Sequence, residues 1–378
     1  MKIGVLCYPT YGGSGVIATE LGKALALRGH EIHFISYSQP VRLDMFSDNL
    51  RYHEVPVMDY PLFEYIPYET ELTSKLVEVV RFEKLDLVHV HYAIPHASVA
   101  YMARQILISE GRYVPFVTTL HGTDITLVGR DASFIPVVTF AINESDAVTA
   151  VSQSLKDTTL HSFNIKKDIV VIPNFIDLKR FSKKPREHFR KAIAPLNERL
   201  ICHTSNFRKV KRVQDVVKVF LKLQETIPSK LLLIGDGPER ASIERECREC
   251  EVAENIRFLG KQDAIEEILS VCDLFILPSE TESFGLAALE AMACQLPVIS
   301  TESGGIPELN IHGVTGYNCR VGDIDDMVKH ASMILSDENT FQNFRSNALE
   351  QAKKFDISII APMYEKMYQK VLELTINN

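Results

Sequence analysis

Two carboxylates bracket a run of small and apolar residues: Glu290 follows Glu282 by eight positions in TESFGLAALEAM (281–292). The apolar pattern after the first acid is helical, with a predicted start near Ser283. First-turn amides of such a helix, those of Ser283, Phe284, Gly285 and Leu286, have no partner inside it and attract an anion; a glycine among them lets a phosphate approach the backbone. A carboxylate two turns in, at Glu290, can accept hydrogen bonds from both hydroxyls of a ribose, and Glu282 can grip another polyol. The plainer explanation is an acid favoured by the helix dipole, then an exposed helical glutamate. It suits Glu282 but not Glu290, because Leu286, Ala287, Leu289 and Ala291 make the helix largely buried and carboxylates are seldom buried alone.

Other stretches carry similar chemistry. YGGSGVIA (11–18) follows a strand pattern and opens a helix, so its bare backbone amides form another anion cradle. It also matches the dinucleotide pattern through Gly13, Gly15 and Ala18. That rival needs an acid at the end of the second strand, where ISYSQP has none, and Glu31 stands at the wrong end. RKVKR (208–212) puts four cations at a helix N-terminus, which opposes the dipole unless an anion such as a diphosphate binds. A solvated charged face is the alternative. Lys211 or Arg208 would neutralise a leaving diphosphate. The strand-end histidines of LHGTD (120–124) and HVHYAIPH (89–96) lack metal-ligand spacing, and CREC (247–250), with no second pair, reads as structural. STESGGIPEL (300–309) repeats the strand–glycine–helix logic, as a turn or as a close approach to a ligand.

The elements that must position these residues alternate along the chain. Strand-like runs are predicted at 2–8, 31–37, 86–92, 115–121, 147–152 and 169–174, with helical patterns such as 14–29 and 71–84 between them. A charged stretch at 177–199 interrupts the alternation, which restarts at 200–205, 230–237, 255–260, 274–279 and 297–301. This predicts parallel sheets covered on both faces and two domains, 1–176 and 177–357, with a final helix at about 358–378 packing back on the first. Ligands are expected in a cleft between the carboxyl ends of the two sheets. A length of 378 residues and a hydrophobic content of 46% suit two globular domains and exclude disorder. A net charge of −8 disfavours nucleic acid, no apolar run suits a membrane span, and the first residues do not read as a signal peptide. Seven scattered cysteines fit a reducing cytoplasm.

Together these stretches resemble the GT-B family of retaining nucleotide-sugar glycosyltransferases, family 4, over nearly the whole chain. The marks are GGSG, HGTD, IPNFID (172–177), IGDGPER (234–240), FLG (258–260), ESFGLAALE and SGGIPE. The resemblance implies an α/β GT-B fold of two Rossmann-like doubly wound domains facing a central cleft. It implies that Glu290 holds the ribose, that Glu282 touches the donor hexose, and that the amides of 283–286 hold the diphosphate. Gly13 belongs to the donor side, and His121 lies by the transferred sugar. Lys211 matches the family's lysine. SN (205–206) stands where the family often reads GR, so Arg208 is expected to replace that arginine.

Within the family, YPTYGGSGVIATELG, HVHYAIPHA and SNFRKVKRV are similar to members that join N-acetylglucosamine to L-malate at the start of bacillithiol synthesis. The implied donor is UDP-N-acetylglucosamine, with no metal and no other cofactor; a homodimer is compatible with this. Seven acids against two arginines in 41–72 argue against an anionic lipid acceptor. For a dicarboxylate, Ser14 and the first-helix amides can bind one end, and the hydroxyls of Tyr92 and Thr119 can orient the other.

Overall fold

The computed structural model describes residues 1–10, 12–43, 47–56, 67–127, 129, 131–249 and 253–376. Tyr11, Cys250 of CREC and positions 57–66 of the acidic stretch lie outside the described residues. The alternating signals produce two wholly parallel sheets. In the first, β1 (Lys2–Leu6), β2 (Glu31–Ser36), β3 (Leu50–Glu54), β4 (Leu87–His91), β5 (Phe116–Leu120), β6 (Ala147–Ala150) and β7 (Ile169–Val171) run in the order β3-β2-β1-β4-β5-β6-β7. In the second, β8 (Arg199–Ser205), β9 (Ser229–Gly235), β10 (Ile256–Gly260), β11 (Leu274–Leu277), β12 (Val298–Thr301) and β13 (Gly316–Cys319) run β10-β9-β8-β11-β12-β13. Each order reverses in its middle, at β1/β4 and at β8/β11. This is the doubly wound topology, whose ligands bind beyond the strand ends at the reversal.

The chain divides into two compact units, one of Met1–Asn174 with Ile357–Asn378 and one of Phe175–Asp356. Central strands are buried throughout, as β4 and β11 show, because helices cover both faces of each sheet. The edge strands β3 (LRYHE) and β13 (GYNC) escape the sequence reading: they are short and polar, and each is half open to solvent. In the first unit the core joins Leu6, Ile35, Val88 and Val90 to the apolar face of helix Tyr68–Glu83. Helix Ile357–Ile376 completes this unit by burying Tyr364 and Tyr368, while its Glu365 meets Arg28 at 2.6 Å and His30 at 2.7 Å. Burying two tyrosines supplies several hundred Å² of contact. In the second unit, Val216, Phe220 and Leu223 of helix Val213–Gln224 pack on Ile201, Leu231 and Ile276. Among the described residues no helix is long and apolar enough to cross a membrane.

Candidate active site

In the second unit β8 and β11 pair at the reversal, with Leu274 opposite Ile201. Loops leaving β8, β11 and β12 are stitched together there. The Glu280 amide donates to the Val210 carbonyl at 2.8 Å, and the Gly305 amide to the Glu282 carbonyl at 2.9 Å. Hydroxyls of Thr301 and Ser303 donate to the carbonyls of Ser279 and Glu280 at 2.6 and 2.7 Å. Gly304 permits the crossing: its φ is +63°, and a Cβ would lie 1.9 Å from the Glu282 carbonyl oxygen. As a result Lys211 forms an ion pair with Glu282, and Ser279 donates to the same carboxylate oxygen at 2.9 Å. Two residues singled out independently, 71 positions apart, are in contact.

The helix expected from Ser283 begins later, at Leu286, because Gly285 takes a left-handed φ of +95° as its N-cap. First-turn amides of Leu286 and Ala287 are therefore the ones without intrahelical partners. Those of Ala288 and Leu289 fold back on the Gly285 carbonyl at 2.9 and 3.1 Å. Glu290 consequently sits in the second turn rather than two turns in, and it is 8% exposed. The Phe284 ring packs on Phe355 at 5.5 Å between centroids, so only its backbone can serve a ligand. Ser283 is half-buried beside it.

The cation cluster is partly neutralised by the chain itself, which corrects the dipole argument drawn from its sequence. Lys211 has Glu282, and Arg212 Nε lies 2.6 Å from Asp215 Oδ2. Arg208 and Lys209 are exposed and form no ion pair among the described residues. Ser205, where the family often has glycine, is occupied by His203, whose Nε2 is 2.8 Å from its hydroxyl. Burial lowers the His203 pKa to about 4, and the Lys211 charge acts in the same direction.

In the first unit the reversal at β1/β4 gathers uncharged groups. Helix Gly13–Leu27 starts with its N-terminal amides exposed at Gly13, behind an extended Gly12. The Tyr92 hydroxyl donates to Ser14 Oγ at 2.6 Å. Tyr92 holds φ +90° and ψ 141°, a backbone region that costs a residue with a side chain about 1–3 kcal/mol. Its ring lies 5.2 Å from that of His121, and His121 Nε2 is 2.8 Å from His91 Nδ1. Burial lowers the pKa of His89 to about 3, of His96 to about 4, and of His91 and His121 well below the ordinary value. The cluster is neutral near pH 7. Asp124 anchors it, accepting from the amides of Ala93 at 2.9 Å and Gly122 at 3.0 Å, and burial raises its pKa to about 6.

Ser14, Tyr92 and His121 thus come together in one unit, and Lys211 and Glu282 in the other. Thr119 does not join the first group. Its hydroxyl is fully buried between His89 Nε2 and Thr149 Oγ1, each at 2.7 Å, so it supports the histidines from below. Residues absent from the sequence reading are Ser279, Asp124 and the supporting roles of His91 and His96; HGTD and HVHYAIPH contained three of them, but spacing could not reveal what they touch. The dinucleotide alternative gains nothing: β2 ends at a buried Ser36, and Glu31 at its start pairs with Lys2 at 3.4 Å. Chemically, the second region can hold a diphosphate and polyols, and the first can bind hydroxyl and carboxylate groups through amides, hydroxyls and neutral imidazoles.

Comparison with known proteins covers both units. The model described as Glycosyltransferase Family 4 matches residues 11–180, and that of Glycosyl transferases group 1 matches residues 185–351. The chain is 47% identical over 374 residues to N-acetyl-alpha-D-glucosaminyl L-malate synthase of Bacillus anthracis, covering 98% of this chain and 97% of that one. It is 27% identical to an uncharacterised glycosyltransferase of Methanocaldococcus jannaschii, over 100% of this chain and 97% of the other. Among solved structures, Anabaena HepE in complex with UDP and glucose superposes with a TM-score of 0.82 at 20% identity, covering 98% of this chain and 99% of its own. Sucrose-phosphate synthase of Thermosynechococcus elongatus gives 0.81 at 22% identity, with 99% and 100% covered. These two likenesses bear on the fold.

Proposed function

The chain belongs to the family 4 glycosyltransferases, and on that premise we propose that it transfers N-acetylglucosamine from UDP-N-acetylglucosamine to the hydroxyl of L-malate, retaining the anomeric configuration, as the first step of bacillithiol synthesis. The observation that carries the reading is the likeness to the Bacillus anthracis synthase along nearly the whole of both chains.

In this reading Glu290 accepts hydrogen bonds from the ribose hydroxyls and Glu282 from the hexose. Amides at the start of helix Leu286–Ala293 meet the diphosphate, and Lys211 and Arg208 offset the charge that grows on it as the glycosidic bond breaks. The malate hydroxyl oxygen bonds to C1 from the face that the diphosphate leaves. The bond from C1 to the phosphate oxygen breaks with its electron pair, and the hydroxyl proton passes to that oxygen. His121, neutral through burial, donates or accepts a hydrogen bond without adding a charge at the reacting centre. Ser14, its neighbouring amides and Tyr92 hold the acceptor. No metal takes part, and the reaction belongs in the cytoplasm.

The test is UDP release from UDP-N-acetylglucosamine with L-malate present. The expected outcome is malate-dependent release and an α-linked product; succinate, which lacks the hydroxyl, binds without reacting. Release at the no-acceptor background with malate, while another alcohol drives turnover, would overturn the acceptor and leave the family assignment intact.

A further inference from the structure

Where β13 meets helix Ile324–Ser336, three side chains with metal-binding atoms converge. Cys319 ends β13, and Asp326 and His330 are one turn apart on the helix. Their ligand atoms all lie within 4.8 Å of one another. His330 Nδ1 is 3.7 Å from Cys319 Sγ and 3.4 Å from Asp326 Oδ1. The nitrogen–oxygen separation is long for a hydrogen bond, which peaks near ~2.9–3.0 Å. Bonds of about 2.3 Å to sulfur, about 2.1 Å to nitrogen and about 2.0 Å to oxygen around a tetrahedral zinc ion set S···N and N···O edges near ~3.6 and ~3.4 Å. The observed edges fit a tetrahedral zinc ion, and the sulfur–nitrogen edge equally fits a thiol hydrogen bond.

We propose that Cys319, Asp326 and His330 form a binding site for a divalent ion of the zinc class, with a fourth position open to water. The His330 ring is already held, stacked on Tyr317 at 4.0 Å between centroids and 12° between planes. Cys319 is 2% exposed, whereas the Asp326 side chain is 34% exposed and supplies the entrance. Asp326 accepts a hydrogen bond from the Cys319 thiol, and together with Asp323 and Glu302 it gives the sulfur a negative surrounding that attracts a cation. As the sulfur–metal bond forms, the thiol proton leaves to solvent. A second cluster of His33, His53 and Glu83 does not make the same case. Its two rings lie 14° from parallel with their facing nitrogens 2.9 Å apart, an ordinary hydrogen bond that leaves no room for an ion.

The ion would brace β13 against the helix. The test uses the untagged full-length protein, freed of metal by a chelator and titrated with Co²⁺ and then Zn²⁺. Expected are one equivalent of Co²⁺ with a thiolate-to-cobalt charge-transfer band in the near ultraviolet, its displacement by Zn²⁺, loss of the band in Cys319→Ser, and at least tenfold weaker Zn²⁺ binding in His330→Gln with unchanged circular dichroism. Absence of a thiolate band, or Zn²⁺ affinity unaltered in His330→Gln, overturns the site. Should Cys319→Ser fail to fold, Asp326→Asn at the exposed rim takes its place in the affinity comparison.

Discussion

At the ends of β8 and β11 the chain gathers charge: Lys211 meets Glu282, Arg212 meets Asp215, and Arg208 stands exposed nearby. At the ends of β1, β4 and β5 it gathers neutral groups instead: Ser14, Tyr92, His91 and His121, anchored by a buried Asp124. Both regions occupy the reversal point of a sheet, and the two sheets share the order of six strands, the first adding β7 at its edge, so topology chose the place and side chains chose the ligand chemistry. Fixed charges suit a diphosphate whose charge rises during reaction. Histidines kept uncharged by burial suit hydroxyls and leave carboxylate binding to helix amides. The contrast also predicts where each region is fragile.

Acid should produce the largest difference. A base whose folded-state pKa lies below its unfolded one stabilises the fold fully above the ordinary imidazole value of about 6.5, and that stability is lost as pH falls. Among the described residues, His89, His91, His96 and His121 behave this way in the first region and His203 in the second, while His33 and His53 of the first unit and His330 of the second shift in the same direction. Each therefore weakens the fold as pH falls from about 6.5 towards 5. Asp124, raised to about 6, works in the opposite direction over part of that window, but it is one group against four. Hydrogen exchange at pH 5 should show the first unit losing protection before the second; simultaneous loss would contradict the neutral-cluster account.

Lys211→Ala comes next. Removing a charge that strengthens its hold in the transition state should lower kcat about 100-fold or more while donor KM changes less. A change in KM alone would confine Lys211 to ground-state binding. For Glu290→Ala, the loss of charge-assisted hydrogen bonds of roughly 1.5–3 kcal/mol each should weaken UDP at least tenfold by calorimetry, with the fold intact. Unchanged UDP affinity would remove Glu290 from the donor site. Tyr92→Phe sharpens the comparison from the other side. Loss of its bond to Ser14, about 1 kcal/mol, should raise the acceptor KM about fivefold and leave UDP affinity alone. A weakened UDP affinity would show that the division of labour is wrong. EDTA should produce the smallest effect, namely none on turnover; activity abolished by it and restored by Mg²⁺ or Mn²⁺ would refute metal-independent catalysis.

Much of this architecture was legible because its signals are local. Continuous apolar runs such as LFIL and KIGVL mark strands buried on both faces, and their alternation with helical patterns specifies a parallel α/β fold. Glu282 and Glu290 stood out from spacing and apolar context alone. Short edge strands defeated the same reading: LRYHE and GYNC bury only part of their length and carry weak apolar signals. The helix start slipped from Ser283 to Leu286 because a left-handed Gly285 is a backbone choice that composition permits but does not require.

By itself the sequence determined the fold class, the alternation of elements and the two carboxylates worth pursuing, since each depends on neighbours within a few residues. Only the tertiary structure decided that Lys211 reaches Glu282, that Arg212 is taken by Asp215, and that Thr119 faces inward to His89 and Thr149. It also decided that the strand-end histidines stay neutral, because burial is a property of everything packed around a ring and not of the ring's place in the chain. Strand periodicity shows that alternate residues share a face, but not which face meets a ligand or which loop from a distant strand lies beside it. That is settled by the strand order and by the backbone bonds that stitch the loops after β8, β11 and β12 together.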